Sequence, residues 1–490
     1  MISQTSTTTY INDSPFFHVF QTSEGNYLFD VNTDRILKVP KDVFDYLYCI
    51  ELGRDVQAEL SVYKYVQDLK NYGYLSSNRV KQSEHSATEL LPYYVKNKIN
   101  FITLQITQSC NLRCSYCVYS GKYKNRSHSQ KTMSKETAQK AIDYYISHSK
   151  DDKVISIGFY GGEPLLCMDM IKYCVEYADK RAEGRKVLYS MTTNATLLTP
   201  EKIKYLDDHD IHLVISLDGP ADIHNKNRRF AKNNEGTFET IIENIRFIKA
   251  EYPTYYKKNV VFNTVLDPDE DFSCINEYVM SSEEFEESTF TSSLIDDKYA
   301  EEEIEYNDDF FIKSNYETFK LYLMKLNWFK EYQVSKLLAD NFTLINRSRG
   351  GKHTSGIKNL PDKCHHSGPC LPVMRLFVNA DGYFYPCERV SETSQMTRIG
   401  DVDNGVDLYK AERILNIERV TSDMCRNCWA YRYCQTCIGA ADSLNEISAD
   451  LIQKKCPQVR YQVEDTFKDY CVFRELGYDF DSEEFVQINF

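Results

Sequence analysis

Long apolar runs are missing from this chain: no stretch approaches the roughly 18 to 20 residues that cross a bilayer, which excludes a membrane-spanning helix. Positive charge is in deficit, with Lys+Arg 58 against Asp+Glu 72 and a formal net charge of -14. A general nucleic-acid binder needs a basic face to neutralise phosphates, so no nucleic-acid partner is expected, although a local basic groove stays open. The first ten residues lack the basic segment and apolar core of a secretory signal, and the expectation is a cytoplasmic protein. In that compartment thiols stay reduced, so among the 16 cysteines cluster ligands are expected in place of disulfides. Eight of them fall between Cys364 and Cys456, which supports the same reading. At 490 residues the chain is too long for one core, and two to four units of roughly 100 to 200 residues are expected.

Cys110, Cys114 and Cys117 follow an apolar, strand-like stretch with the spacing C-x3-C-x2-C. Three thiolates are one ligand short of filling a four-iron four-sulfur cluster, which leaves one iron open. A zinc site or three unrelated buried cysteines are the plainer alternatives. Gly161, Gly162, Glu163 and Pro164 come directly after a second strand-like run. Two glycines let the main chain approach a ligand closely, and a carboxylate is the natural partner of an ammonium. Further on stand the segment Thr192 to Leu198, with Asn194, and the run Ser216 to Pro220, followed by His224 and Arg228.

Together these motifs resemble the signature of the radical SAM enzymes. The resemblance implies that Cys110, Cys114 and Cys117 hold a 4Fe-4S cluster whose open iron binds S-adenosylmethionine. Gly161, Gly162, Glu163 and Pro164 would then hold the amino group, through backbone carbonyls and the glutamate. Asn194 and Ser216 would contact the ribose, Arg228 the carboxylate and Tyr116 the adenine. Two positions depart from the family pattern: Ala195 stands where glycine is usual, and Asn225 where aspartate is usual. The chemistry implied is reductive cleavage to a 5'-deoxyadenosyl radical that takes a hydrogen atom from an unactivated C–H bond.

The run Cys364, Cys370, Cys387, Cys425, Cys428, Cys434, Cys437 and Cys456, with Gly382 five residues before Cys387, resembles the SPASM domain. Two residues, where the pattern has three, separate Cys434 from Cys437. The resemblance assigns Cys364, Cys370, Cys387 and Cys437 to a first auxiliary 4Fe-4S cluster, and Cys425, Cys428, Cys434 and Cys456 to a second. A zinc ribbon would use only four of these thiols. The other five, Cys49, Cys167, Cys174, Cys274 and Cys471, are most simply core residues. His365 and His366 read as loop residues or as donors beside Cys364.

Three short strands between 16 and 39 and two amphipathic helices, at about Lys41 to Glu51 and Glu59 to Tyr72, resemble a winged-helix element that captures a leader peptide by strand addition. The expected organisation is a leader-recognition unit at 1–83, a linker at 84–100, a barrel at 101–340 and a SPASM domain at 341–490. The α/β alternation from Phe101 onward implies a parallel sheet, and the resemblance makes it a partial (β/α)6 barrel. The acidic stretch 281–309 reads as a solvated face, and 308–340 as helical.

The combination resembles peptide maturases that act on ribosomally synthesised precursors, in particular the thioether-forming maturases of Cys-rich peptides (ranthipeptides). It implies a precursor peptide with a leader and an electron donor such as flavodoxin or ferredoxin as partners. Carbon–carbon crosslinking, epimerisation and formylglycine formation of the sulfatase-maturase kind are the alternatives within the class. A non-catalytic iron–sulfur scaffold or a zinc adaptor is the alternative outside it.

Overall fold

The structure, a computed structural model, describes residues 14–120, 122–302, 304–349, 359–366, 368 and 370–480. Residues 1–13 of the expected N-terminal unit, and 350–358 and 481–490 of the expected C-terminal one, lie outside the described residues. The chain opens with an antiparallel meander of β1 (Phe17–Gln21), β2 (Asn26–Asp30) and β3 (Arg35–Val39), followed by helices α1 (Lys41–Glu51) and α2 (Leu60–Asn71). Alternate residues of a strand point to opposite faces, and both faces of this sheet are used. Phe17, Val19 and Leu28 pack against Val43, Phe44, Leu47, Val62 and Val66 of the two helices. Phe20, Tyr27 and Phe29 pack the other way, against Phe467 and Cys471 of the long C-terminal helix Ala449–Glu475. The segment expected as a linker carries helix α3 (Leu91–Asn97), whose Leu91 and Val95 pack on Val373, Ala411 and Leu415.

From Phe101 six parallel strands lie side by side in chain order: β4 (Phe101–Thr107), β5 (Val154–Gly161), β6 (Lys186–Thr193), β7 (His212–Ser216), β8 (Val260–Leu266) and β9 (Thr289–Leu294). The crossovers carry helices α4 (Lys135–Ser147), α5 (Met168–Arg181), α6 (Pro200–Asp208), α7 (Phe238–Glu251) and α8 (Phe272–Ser281). Several begin on a side-chain cap, such as Ser134 accepting from Thr137 N and Asp271 accepting from Ser273 N, which satisfies donors that the helix itself cannot. β10 (Arg375–Val378) then pairs in parallel with the free edge of β4, and β11 (Tyr383–Tyr385) pairs antiparallel with β10. The result is an open, mixed α/β sheet that runs on across position 340.

Two stretches differ from expectation. The acidic run 281–309 contains β9, which hid because one residue of its six, Phe290, is buried. Beyond β9 the run forms a strap: Lys124 N donates to Tyr299 O at 2.9 Å, Glu301 N donates to Lys122 O at 2.9 Å, and the Tyr299 hydroxyl donates to Asp442 at 3.0 Å. The helix expected over 308–340 is α9 (Asp308–Lys325) only; Asn327 takes a left-handed φ of 60°, and two short 3-10 turns follow. Among the described residues no helix is long and apolar enough to cross a membrane.

Candidate active site and cysteine-lined cavity

The Cys110–Cys117 loop leaves the C-terminal end of β4 and is held from two sides. On one side Gly162 N donates to Thr107 O at 2.8 Å and Glu163 N to Ser109 O at 3.0 Å. A Cβ on Gly161 would stand 2.0 Å from Thr107 O, and one on Gly162 2.2 Å from Ser109 O. The glycines are therefore required by the approach of this chain's own main chain to the cysteine loop. On the other side Arg113 N donates to Arg229 O at 2.9 Å and Ser115 N to Asn227 O at 3.0 Å, laying the loop along the segment that carries Arg228. Three motifs distant in sequence thus meet at the ends of β4, β5 and β7.

Glu163 is fully buried, which pushes its carboxyl upward against three hydrogen bonds that favour the ionised form. Its Oε1 accepts from Leu165 N at 3.0 Å and the Thr193 hydroxyl at 2.7 Å, and its Oε2 from Asn194 N at 2.8 Å. A carboxylate has about four acceptor positions, so one is left for an ammonium. Asn194 donates from Nδ2 to Asn111 Oδ1 at 3.0 Å and lies 3.9 Å from Cys110 Sγ, while its Oδ1 accepts from Thr196. Ala195 adopts a φ of 60°, the conformation for which glycine is the usual residue. Ser216 is buried at the end of β7.

Arg228, expected as a clamp for a free carboxylate, is already engaged. Its Nε and Nη2 donate to Asp218 at 2.8 and 3.1 Å, and the guanidinium stands 5.4 Å from the Tyr116 ring. Asp218 also accepts from Val265 N at 3.1 Å and from the Tyr116 hydroxyl. Burial would raise Asp218, but the charge and hydrogen bonds of Arg228 overcome it and hold the group below its ordinary range. Four donors on one buried carboxylate make Asp218 the hub of this corner of the site. His224 is fully buried and held neutral, its pKa lowered to about 4 by burial, with Thr237 at 2.9 Å. Asn225 accepts from Thr237 N and Phe238 N at the start of α7, an acceptor's task that amide and carboxylate oxygens share.

Burial raises the thiols of Cys110 to about 12 and of Cys114 to about 11, and raises Cys117 too. The three oppose one another's ionisation, as neighbouring thiols do. Such thiols ionise when a cation sits among them.

In the C-terminal region a cavity of about 230 Å³ is ringed by Cys425, Cys428, Cys434 and Cys456, with His366 and Arg460 beside them. The shortened link between Cys434 and Cys437 leaves Cys434 in this ring. Cys437 goes with Cys370 and Cys387: burial first, and Cys437 as a neighbour after it, raise the Cys370 and Cys387 thiols. Cys364 is half-buried in the apolar cluster that holds Cys425 and Tyr431, and pairs through a two-residue ladder with Gln82–Ser83. Among the described residues no three cysteine sulfurs lie within 4.8 Å of one another. A tetrahedral zinc would draw thiolates to roughly 3.8 Å, whereas a cubane cluster spreads its ligands further. Four thiols around a cavity of about 230 Å³ are a donor set that an iron–sulfur cluster takes.

His365 and His366 are buried, and with Glu418 they are the trio of possible ligands within 4.8 Å of one another among the described residues. Their atoms are already spoken for: Glu418 accepts from Ser83, Tyr431 and His366 N, and His365 Nε2 accepts from Glu418 N. Of the cysteines expected in the core, Cys174 and Cys471 are buried, Cys49 and Cys167 half-buried, and Cys274 is exposed on the outer side of α8.

Residues 104–280 match the Radical SAM superfamily. The chain is 27% identical over 196 residues to the radical SAM cyclopropyl synthase TigE of Paramaledivibacter caminithermalis, 38% of this chain and 39% of that one, so it spans well under two thirds of TigE's length. It is 26% identical over 291 residues to a cysteine-type anaerobic sulfatase-maturating enzyme of Clostridium novyi, covering 58% of this chain and 71% of the relative. Among solved structures the fold is similar to "Native anSMEcpe with bound AdoMet and Kp18Cys peptide", with a TM-score of 0.53, 20% identity, and coverage of 74% of this chain and 99% of that one.

Proposed function

We infer that this chain, a member of the radical SAM superfamily, is a peptide maturase that installs thioether links in a ribosomally made precursor. The observation that carries the reading is the pairing of an open triplet at the barrel mouth with a separate cavity ringed by four thiols. The triplet would hold a cluster and S-adenosylmethionine, which together supply a hydrogen-abstracting radical. Cys110, Cys114 and Cys117 would be its ligands, Glu163 with the Gly161–Gly162 turn the ammonium site, and Ser216 with Asn194 the ribose side. Arg228 would meet a carboxylate through what Asp218 leaves free, and Tyr116 would stand beside the adenine. Cys425, Cys428, Cys434 and Cys456 would hold one auxiliary cluster; Cys370, Cys387, Cys437 and Cys364 would hold the other.

Per link, one S–H and one C–H bond of the peptide break and one C–S bond forms, releasing two protons and two electrons. One proton and electron leave together as the abstracted hydrogen atom. The other electron needs an acceptor, which is the role that fully ligated auxiliary clusters suit, and its proton needs a base. Glu388, half-buried directly after Cys387, is a carboxylate in that region. The N-terminal meander would take the leader: β3 has no strand on its outer edge among the described residues, so an extended peptide can add there. Flavodoxin or ferredoxin would supply the priming electron.

Formylglycine formation is the second reading, favoured by the match to the sulfatase-maturating relatives. Anaerobic co-expression with a Cys-rich precursor separates the two. Loss of two hydrogens per modified cysteine, with that thiol blocked to alkylation and the link resistant to reductant, supports thioether formation. A hydrazide-reactive aldehyde in place of the thiol supports the second reading, and an unchanged mass favours epimerisation.

A further inference from the structure

Glu392 lies five residues beyond Cys387, yet its carboxylate is spent on the first site. Oε1 accepts from Gln105 Nε2 and from the Tyr119 hydroxyl, both at 2.9 Å, and Oε2 accepts from Gln105 Nε2 at 3.0 Å and Gln108 Nε2 at 3.3 Å. Gln108 stands two residues before Cys110 and Tyr119 two after Cys117, so one side chain grips both ends of the cysteine loop. Arg126, from the same loop's extension, faces it at 3.2 Å; the two side chains are 3% and 7% exposed. The Arg126 guanidinium also donates to Val390 O at 2.6 Å and to Glu388 O, and lies 5.4 Å from the Tyr119 ring. Gln105, fully buried on β4, is itself fixed by accepting from Ala380 N at 2.9 Å. A buried ion pair adds little net stability over apolar packing, so its value here lies in fixing geometry.

We propose that Glu392 is a positioning residue for the Cys110–Cys117 loop, so that the region carrying Cys387 shapes the S-adenosylmethionine site without touching it. This rests on the radical SAM reading. The test uses full-length, anaerobically reconstituted chain with Glu392→Ala and Glu392→Gln. It measures iron content, the S-adenosylmethionine dissociation constant and the change that S-adenosylmethionine causes in the electron paramagnetic resonance of the reduced first cluster. Loss of contacts that orient a metal's ligands costs about ten- to a hundredfold in metal affinity or activity, and a loss of similar size is taken for S-adenosylmethionine held at the same loop. The expected result is therefore a dissociation constant raised by about that factor and a weakened or lost spectral change, while about eight irons on the C-terminal ligands are kept. Unchanged affinity and an unchanged spectral response in both variants overturn the proposal. If the alanine variant loses all its iron, the glutamine variant decides by the same two readings. A wild-type chain with no spectral response at all overturns the radical SAM reading itself, a result distinct from either outcome.

Discussion

The Cys110–Cys117 loop and the cavity ringed by Cys425, Cys428, Cys434 and Cys456 hold their thiols by different means. The loop is pressed between two other segments, main chain against main chain, with glycines at 161 and 162 because nothing larger fits. Buried polar groups, Asp218 with Arg228 and Glu392 with Arg126, tie down what surrounds it. The cavity instead is an open space of about 230 Å³ walled by side chains such as Ile452, Val459 and Tyr431. Four thiols around a cluster fix one another once it is in place. On the proposed assignment the three thiols of the loop would leave an iron free for a ligand and gain no such closure, so the protein has to supply the rigidity.

Replacing Cys110, Cys114 and Cys117 by alanine attacks the first region directly. S-adenosylmethionine cleavage and peptide modification are expected to vanish, with about four irons lost per chain, as measured by product chromatography and iron analysis. Gly162→Ala tests the rigidity without removing a ligand. The methyl would enter backbone atoms of Ser109 at 2.2 to 2.6 Å, for an expected destabilisation of about 3 kcal/mol in denaturant titration, and the loop would be displaced. Cys456→Ala should act locally: loss of about four irons, with cleavage of S-adenosylmethionine retained and crosslinked product reduced. Equal loss of cleavage in this variant would erase the proposed division between the two regions.

A smaller effect comes from where the N-terminal unit docks beside the cavity. His18 bridges Glu51 at 2.6 Å and Glu464 at 3.0 Å and stacks on Trp429, centroids 3.8 Å apart. Burial opposes its charge, but the hydrogen bonds and charges of the two glutamates outweigh burial and raise its pKa. This contribution is fully present below the ordinary value of 6.5 and is lost as pH rises through the raised one. Glu464, held at about 2 by His18, stays ionised across that window. Thermal stability should fall between mildly acidic and alkaline pH, and His18→Gln should flatten the profile. Ala195→Gly should be nearly neutral. Relief of the left-handed alanine, roughly 1 to 2 kcal/mol, is offset by about 0.8 kcal/mol for the lost buried methyl and by about 0.4 to 1 kcal/mol of added freedom in the unfolded chain.

The strands of the meander and the first five of the parallel sheet were legible because their apolar runs are dense and bounded by turn residues. β9 was not, since a strand with one buried residue of six carries no pattern. Within the site the residues nameable from spacing were the thiols and the motif glycines. The reason for those glycines was not readable, because Thr107 O and Ser109 O come from a segment more than fifty residues earlier. Asp218, Gln105 and Glu392 escaped for the same cause: each owes its role to partners brought in by the fold.

The strand Arg375–Val378 has a practical corollary for anyone cutting the chain. It covers the outer side of Phe101–Leu104, so a fragment ending near residue 340 would leave the amide and carbonyl groups of that stretch bare, a template for self-pairing. Such a truncation should precipitate, and its inactivity would say nothing about which half performs the chemistry.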